Sequence, residues 1–216
     1  MPRPDHPAPP PTPPDSVRVL ASGGQAEFTE QRSRFLGFAM PVQGEEAARA
    51  AVADVRRRFH DARHVCSAWR VGAPPPAREH RHDDGEPAGT AGEPILSALR
   101  RAGVTNALVV VVHYFGGVKL GTGGLARAYG EAAALALAAS TIEDLPLGRV
   151  FVVEFPYPLR HAVASVIEGR GGHPRAESYG ATVTWEAWLP HSGCEGFIEA
   201  VRQATGGAVA PHELLP

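Results

Sequence analysis

Hydrophobic residues along this chain are grouped in two ways, as short β-branched runs and as longer stretches with helical spacing. Residues 107–112 read Ala-Leu-Val-Val-Val-Val between Asn106 and Gly116. Such a short, continuous apolar run predicts a strand that is buried on both faces. Residues 125–139 are rich in Ala and Leu and contain no proline, which predicts a helix. The glycine-rich residues 116–124 join the two, so we predict a strand, a glycine loop and a helix.

The segments before this unit predict further short elements. Residues 17–28 and 33–42 alternate loosely between apolar and polar side chains, which predicts two strands. Residues 44–60 have the spacing of an amphipathic helix, with acidic residues in the first turn and arginines in the last, as the helix dipole favours. Residues 65–71 predict another strand. The proline-rich residues 72–79 predict a loop.

The last third of the chain predicts a second domain. After a linker at residues 145–148, the pattern alternates between β-type and helical spacing. The predicted elements are a strand at 149–155, a helix at 158–168, a hairpin of 175–179 with 181–189, a helix at 192–204 and a strand at 207–210. This βαββαβ order is that of the ferredoxin-like fold. Together with the first domain it predicts an α+β protein.

Composition and charge limit the classes of protein that fit this chain. With 216 residues and a formal net charge of −2, it lacks the strongly basic surface of a general nucleic-acid binder, so any such contact has to be local. Two cysteines predict no disulfide framework, and we expect a cytoplasmic protein. No apolar run has the length of a membrane span, and we expect no membrane association. The proline-rich residues 1–15 predict a disordered tail.

The glycine loop is the first candidate for chemistry. A helix N-terminus presents free N–H groups and partial positive charge, which favour an anion such as phosphate, carboxylate or an RNA backbone. Lys119 in the loop and Arg127 after it add two cations. A nucleotide-binding P-loop requires Lys where this chain has Thr122, so that motif is absent. The predicted anion-binding residues are Gly116, Gly117, Lys119, Gly121, Thr122, Gly123, Gly124 and Arg127.

An acidic segment precedes this unit. Asp83, Asp84 and Glu86 lie among glycines and prolines that set a tight, irregular path. Their carboxylates are predicted either to support the glycine loop or to bind a cation such as Mg²⁺. The adjoining residues 79–84 contain two histidines and three carboxylates, which are compatible with a metal site, although a polar surface loop is the favoured interpretation.

Two long motifs of this chain are highly specific in sequence. Residues 115–129 read Phe-Gly-Gly-Val-Lys-Leu-Gly-Thr-Gly-Gly-Leu-Ala-Arg-Ala-Tyr, and residues 83–92 read Asp-Asp-Gly-Glu-Pro-Ala-Gly-Thr-Ala-Gly. Together with Ser-Arg-Phe at 33–35 and Ala-Arg-His-Val-Cys at 62–66, they closely resemble the IMPACT/YigZ family over residues 28–137. The chain departs from this family at His113, where an arginine is usual.

The resemblance implies a fold and a cellular context. The first domain is expected to be similar to domain IV of elongation factor G, with a four-stranded sheet backed by two helices. The second domain is expected to be ferredoxin-like, as is the smaller C-terminal domain of bacterial members of the family. Eukaryotic relatives of the family are linked to translation regulation and associate with ribosomes. If the usual arginine contacts RNA phosphate, His113 weakens that contact at neutral pH.

Three functions are compatible with the sequence. We favour a non-enzymatic, translation-associated protein that binds RNA or a ribosomal partner through the glycine loop, with Arg63, His64 and His113 widening the site. The alternatives are an enzyme acting on a small phosphorylated or carboxylated substrate, and a module that only binds proteins. The predicted segments are a tail at 1–15, a first domain at 16–144 and a second at 149–216. No cofactor is predicted apart from the Mg²⁺ alternative.

Overall fold

The computed structural model describes residues 13–72 and 77–215. Most of the predicted tail at 1–15, and the centre of the predicted loop at 72–79, therefore lie outside the described residues. The chain divides into two compact units. Among the described residues, the first unit is Val17–Leu145, and the second consists of residues 146–215 together with residues 13–16.

The first unit begins with strands and ends with the strand–loop–helix segment. Its elements are β1 (Ser16–Ser22), β2 (Gly24–Glu30), β3 (Ser33–Pro41), α1 (Glu45–Arg58), β4 (His64–Val71), β5 (Arg78–His82), α2 (Gly92–Ala102), β6 (Ala107–Tyr114), α3 (Gly121–Ala138) and β7 (Thr141–Pro146). Strand β7 replaces part of the linker predicted at 145–148. Residues 17–28, predicted as one strand, are divided between β1 and β2.

Antiparallel strands form the main sheet of this unit, in the order β2-β3-β6-β4-β5. Within the described residues this sheet has five strands and is accompanied by three helices, whereas the resemblance implies four strands and two helices. The additional strand is β5. Its polar sequence favours a loop, and all of its side chains are exposed in the structure. Backbone pairing with β4 at the sheet edge holds it, and such pairing needs no apolar side chains.

The continuous apolar run of β6 is explained by burial on both faces of the sheet. Val109 and Val111 pack in one core cluster with α2 and α3. Val110 and Val112 pack in a second cluster with α1. Because side chains alternate along a strand, His113 at the end of β6 lies on the same face as Val109 and Val111, towards α3.

The second unit has the predicted ferredoxin-like architecture. Its elements are β8 (Gly148–Phe155), α4 (Arg160–Gly169), β9 (His173–Tyr179), β10 (Val183–Pro190), α5 (His191–Cys194), α6 (Phe197–Ala204) and β11 (His212–Glu213). The sheet order is β11-β8-β10-β9 and all pairs are antiparallel, so the α+β class and the βαββαβ order are confirmed.

Two predicted boundaries in this unit are wrong. The helix predicted at 192–204 is divided into α5 and α6, because Gly196 between them has a φ of 66° that interrupts helical geometry. The final strand lies at His212–Glu213 instead of 207–210. A strand this short is defined by its pairing with β8, which local sequence does not encode.

In the part of the chain that is described, no helix combines the length and apolarity that crossing a membrane requires.

Candidate functional site

Several predicted site residues meet in a cleft of about 440 Å³ at the junction of β6 and α3, which we call the β6–α3 cleft. Lys119 comes from the connection before α3, and Gly121 and Thr122 come from its first turn. The cleft is also lined by residues from β4 and the acidic segment. The predicted residues that line it are Arg63, His64, Glu86, His113, Lys119, Gly121 and Thr122.

The N-terminus of α3 differs from the prediction. The helix begins at Gly121 instead of Leu125, so four residues of the predicted glycine loop form its first turn. Glycine has low helix propensity, and for this reason the pattern places the start too late. Gly121 has a φ of 70°, which favours glycine over any residue with a side chain. The terminus has no side-chain cap hydrogen bond, and its first N–H groups therefore lack intrahelical and capping partners.

The earlier part of the glycine loop serves packing. A Cβ atom on Gly116 would lie 2.1 Å from the carbonyl carbon of Arg32, so only glycine fits there. The Gly116 N–H donates to Ser33 Oγ at 3.0 Å. This amide is consumed inside the protein and does not face a ligand. Gly116, Gly117 and Gly123 are not among the residues that line the β6–α3 cleft. The groups of the predicted glycine loop that can contact an anion in this cleft are therefore Lys119 and the start of α3.

Lys119 and Arg127, predicted to act together, line different clefts. Lys119 lines the β6–α3 cleft. Arg127 and Gly124 line a separate cleft of about 560 Å³ beside α2, together with Arg101 and Glu131. A single site containing both cations therefore stays a prediction, and the cleft at the N-terminus of α3 is lined by Lys119 without Arg127.

A buried hydrogen-bonded group forms the floor of the β6–α3 cleft. The His113 Nδ1 atom lies 2.7 Å from Glu86 Oε1, and their side chains are only 4% and 6% exposed. The same Glu86 oxygen accepts a hydrogen bond from the Tyr129 hydroxyl at 2.8 Å. The His113 ring stacks on Phe35 with 4.3 Å between centroids. These contacts fix the imidazole, yet its Nε2 atom has no hydrogen-bond partner among the described residues.

The protonation states of this group follow from burial and hydrogen bonding. Burial by itself raises the pKa of Glu86, but hydrogen bonds from His113 and Tyr129 outweigh it and the pKa is lowered overall. Burial also raises the pKa of Tyr129, whose hydroxyl therefore stays protonated. The pKa of Cys66 is raised mainly by burial. Its thiol is protonated and is a poor nucleophile, despite the nearby histidine in the sequence.

Asp83 and Asp84 form hydrogen bonds with α2, β4 and their own segment. Asp83 Oδ1 accepts the N–H groups of Ala91 and Gly92 at 3.1 and 2.8 Å, and so caps α2 from eight residues upstream. Asp84 accepts the Val65 N–H at 2.7 Å and forms an ion pair with Arg56. Their role in supporting the glycine loop stays a prediction, and the hydrogen bonds that they accept come from α2 and β4.

Metal-ligand side chains were predicted in the acidic segment and in residues 79–84. No group of three or more His, Cys, Asp or Glu side chains is arranged for metal binding among residues 13–72 and 77–215. In β5, Glu79 is engaged by Arg70 and Arg100, and the His80 ring stacks on Trp69. Because the side chains of a strand alternate between two faces, adjacent residues of this segment do not converge on one point.

Tyr129 and Phe35 are site residues that the sequence reasoning missed. Both are fully buried and orient His113 or Glu86. Tyr129 lies 43 positions from its acceptor Glu86, and Glu86 lies 27 positions from His113. The available signal was a single tyrosine in an Ala-rich helix, which indicates a buried hydroxyl in need of a partner.

Fold and cleft together define a two-unit α+β protein with a cationic cleft at an uncapped helix N-terminus. The family model of the Impact N-terminal domain matches residues 31–137, which include the whole cleft. An IMPACT family member from the pol 5′ region of Thermus thermophilus is 41% identical over 181 residues, covering 84% of this chain and 89% of that relative. The chain therefore belongs to the IMPACT family.

Two further relatives match about half of this chain. The IMPACT family member YigZ of Escherichia coli K12 is 50% identical over 101 residues, which is 46% of this chain and half the length of that relative. The Protein IMPACT homolog of Saccharomyces cerevisiae is 33% identical over 96 residues, 44% of this chain and 37% of the yeast protein. A crystal structure of a hypothetical protein superposes with a TM-score of 0.63 at 32% identity, covering 93% of this chain and 98% of the other.

Proposed function

We propose that this protein is a translation-associated regulatory protein that binds RNA of the ribosome or of a ribosomal complex through the β6–α3 cleft. The observation that carries this proposal is the convergence of Arg63, Lys119 and the uncapped N-terminus of α3 on one cleft. Each of these groups favours an anion. Membership in the IMPACT family supports the translational context.

The charges at the cleft are available to a ligand. Neither Arg63 nor Lys119 has an ion-pair partner among the residues described, in contrast to Arg34, Arg70 and Arg100, which do. The Arg63 guanidinium lies 5.6 Å from the centre of the Phe115 ring, which positions it at the cleft without neutralising it. Because the whole chain carries a net charge of −2, this local concentration of positive charge is what would attract a phosphate backbone.

The cellular setting forms part of the same proposal. A ribosomal partner places the protein in the cytoplasm. The first domain, at 16–144, would contain the RNA-binding cleft. The second domain, at 149–216, would contribute a separate surface that binds a protein partner.

The proposal is tested by measuring ribosome and RNA binding as a function of salt. Lys119→Ala and Arg63→Ala should each weaken binding about five- to tenfold. Each should also reduce the slope of log K against log salt by roughly 0.7–0.9 for every phosphate that the variant no longer neutralises. Arg127→Ala is the matched control, because it removes the same charge from the neighbouring cleft and should leave binding unchanged.

Ribonuclease treatment separates RNA from protein partners in the same assay. RNA binding predicts that the protein leaves the ribosomal pellet after digestion. Retention in the pellet, with Lys119→Ala and Arg63→Ala behaving like the native chain, would instead favour the pure protein-interaction module and reject the role given to the cleft.

A second candidate function is favoured by the Glu86–His113 pair. A buried carboxylate that orients an imidazole is the arrangement by which many enzymes position a general base. The uncapped α3 terminus would then stabilise negative charge on a small phosphorylated or carboxylated substrate. If the protein turns over such a substrate and His113→Asn does not, this alternative is established. If the variant keeps the activity, His113 is not the general base.

A further inference from the structure

The unsatisfied nitrogen of His113 requires a partner. More than about nine in ten buried polar groups in proteins form a hydrogen bond, because leaving one unpaired costs on the order of 1–3 kcal/mol. His113 is 3% exposed, and its Nε2 has no partner among the residues of the chain that are described. The histidine also lines the β6–α3 cleft. The missing partner is therefore to be sought in the occupant of this cleft.

Groups from three separate segments line the cleft: His113 near the end of β6, Lys119 with the α3 terminus, and Arg63 just before β4. A planar carboxylate offers acceptor oxygens in one plane. A terminal phosphate offers three oxygens in tetrahedral directions, so it can accept from more donors than a carboxylate can.

The charge balance agrees with a doubly charged ligand. When Nε2 donates to an anion, His113 is an imidazolium whose charge is offset by the adjacent Glu86 carboxylate. The remaining charges are those of Arg63 and Lys119, which have no ion-pair partner in the described part of the chain. A phosphate monoester carries about −1.5 to −2 charges at neutral pH, against about −1 for an internal phosphodiester.

We propose that the β6–α3 cleft binds a terminal phosphate monoester, and that His113 Nε2 donates a hydrogen bond to one of its oxygens. This inference rests on the proposed anion-binding function of the cleft and specifies the chemical class of its ligand. Two sources share this chemistry, a 5′-phosphorylated RNA end and a small phosphorylated metabolite.

The test compares two RNA decamers of one sequence, labelled at the 3′ end and differing only in a 5′-phosphate or a 5′-hydroxyl. Fluorescence anisotropy with the full chain should show at least about tenfold tighter binding of the phosphorylated form, as expected for one charge-assisted hydrogen bond and its ion pairs. Inorganic phosphate should displace the phosphorylated decamer. Calorimetric titration with ribose 5-phosphate tests the small-molecule source.

The decisive variant is His113→Asn. The amide nitrogen of asparagine takes the place of Nδ1 and retains the hydrogen bond to Glu86, while the unpartnered Nε2 is removed. The preference for the 5′-phosphate should disappear in this variant, and in Lys119→Ala, but persist in Arg127→Ala. Thermal unfolding shows whether His113→Asn is folded. If it is not, the 5′-phosphate preference of Lys119→Ala tests the ligand class instead.

The outcomes distinguish this inference from the function on which it rests. Equal affinity for the two decamers, with binding still sensitive to Lys119→Ala, would overturn the phosphate-monoester ligand and leave RNA binding intact. Binding of ribose 5-phosphate without binding of either decamer would support the ligand class and reject the RNA role. A 5′-phosphate preference that survives in His113→Asn would overturn the assignment of His113.

Discussion

Glu86 shows how one side chain determines the state of its neighbours. A single oxygen of its carboxylate accepts hydrogen bonds from both His113 and Tyr129. The charged form of Glu86 is therefore favoured in the folded protein, and its pKa is lowered although burial alone would raise it. A carboxyl whose pKa is lowered on folding stabilises the fold above its unfolded pKa, and this contribution is lost as pH falls through the folded pKa.

We expect Glu86→Gln to destabilise the protein by about 1–3 kcal/mol at pH 7, because a charge-assisted hydrogen bond to His113 is replaced by a neutral one. The native chain should lose stability as pH falls below the ordinary glutamate value of 4.5. The variant should lose less over that interval. Urea denaturation between pH 7 and 3 measures both effects.

The control is Glu143→Gln, which alters an exposed carboxylate in β7. Its stability should stay within about 0.5 kcal/mol of the native chain. If Glu86→Gln shows the same pH profile as the native chain, Glu86 does not have the pKa assigned to it.

At the scale of elements, the N-termini of helices α2 and α3 differ. The N-terminus of α2 is capped by Asp83, whose carboxylate also accepts the Gly89 N–H. The N-terminus of α3 has no side-chain cap and opens on the β6–α3 cleft. Because unpaired helix N–H groups are normally satisfied by a side chain, water or a ligand, the difference marks α3 as the element with capacity to bind.

The position of α3 on the sheet depends on a close approach to β3. A Cβ atom on Gly37 would lie 2.4 Å from the Ala132 carbonyl oxygen of α3. We expect Gly37→Ala to cost about 1–3 kcal/mol or more, because the helix must move away from the strand. Denaturation measures the cost, and RNA binding should weaken with it as the helix N-terminus is displaced.

A matched substitution lies within α3 itself. At Gly130, the nearest atom to an added Cβ is Pro94 Cβ at 3.7 Å, an ordinary contact. Gly130→Ala should stabilise the helix by about 0.5–1 kcal/mol and leave RNA binding unchanged. Equal effects of the two alanines would show that the approach of α3 to β3 is not what excludes a side chain at Gly37.

At the scale of the whole molecule, each unit has a core of its own. In the first, two clusters lie on opposite faces of the sheet, with Val111 in one and Val110 in the other. In the second, a single cluster contains Trp185, Val201 and the inner face of β8 and β10. A domain with its own core is expected to unfold as a unit.

Val201→Ala should therefore destabilise the second unit by roughly 1–3 kcal/mol, because it leaves a cavity among fully buried side chains. Hydrogen exchange should accelerate in α4, α6 and β8 to β11 and remain native in β3, β4 and β6. Binding of the 5′-phosphorylated decamer should be retained. Faster exchange throughout the chain would mean that the two units unfold together.

Local sequence alone determined the elements whose side chains follow a period and the family to which the chain belongs. The apolar run of β6, the helix α1 and the βαββαβ order of the second unit were predicted because burial on a strand or helix repeats every two or 3.6 residues. The glycine and aspartate motifs at 83–92 and 115–129 indicated the IMPACT family. They also directed attention to Lys119, Thr122 and Glu86, and the departure from the family pattern directed it to His113; the cleft contains all four.

Only the tertiary structure decided how these residues combine. The exposed strand β5, the start of α3 at Gly121 and the separation of Lys119 from Arg127 depend on pairing and packing with distant segments. The same is true of the contact that joins Glu86 to His113 and leaves one imidazole nitrogen unsatisfied. Local patterns report which side chains avoid water, whereas hydrogen bonds between distant polar groups are set by the path of the folded backbone.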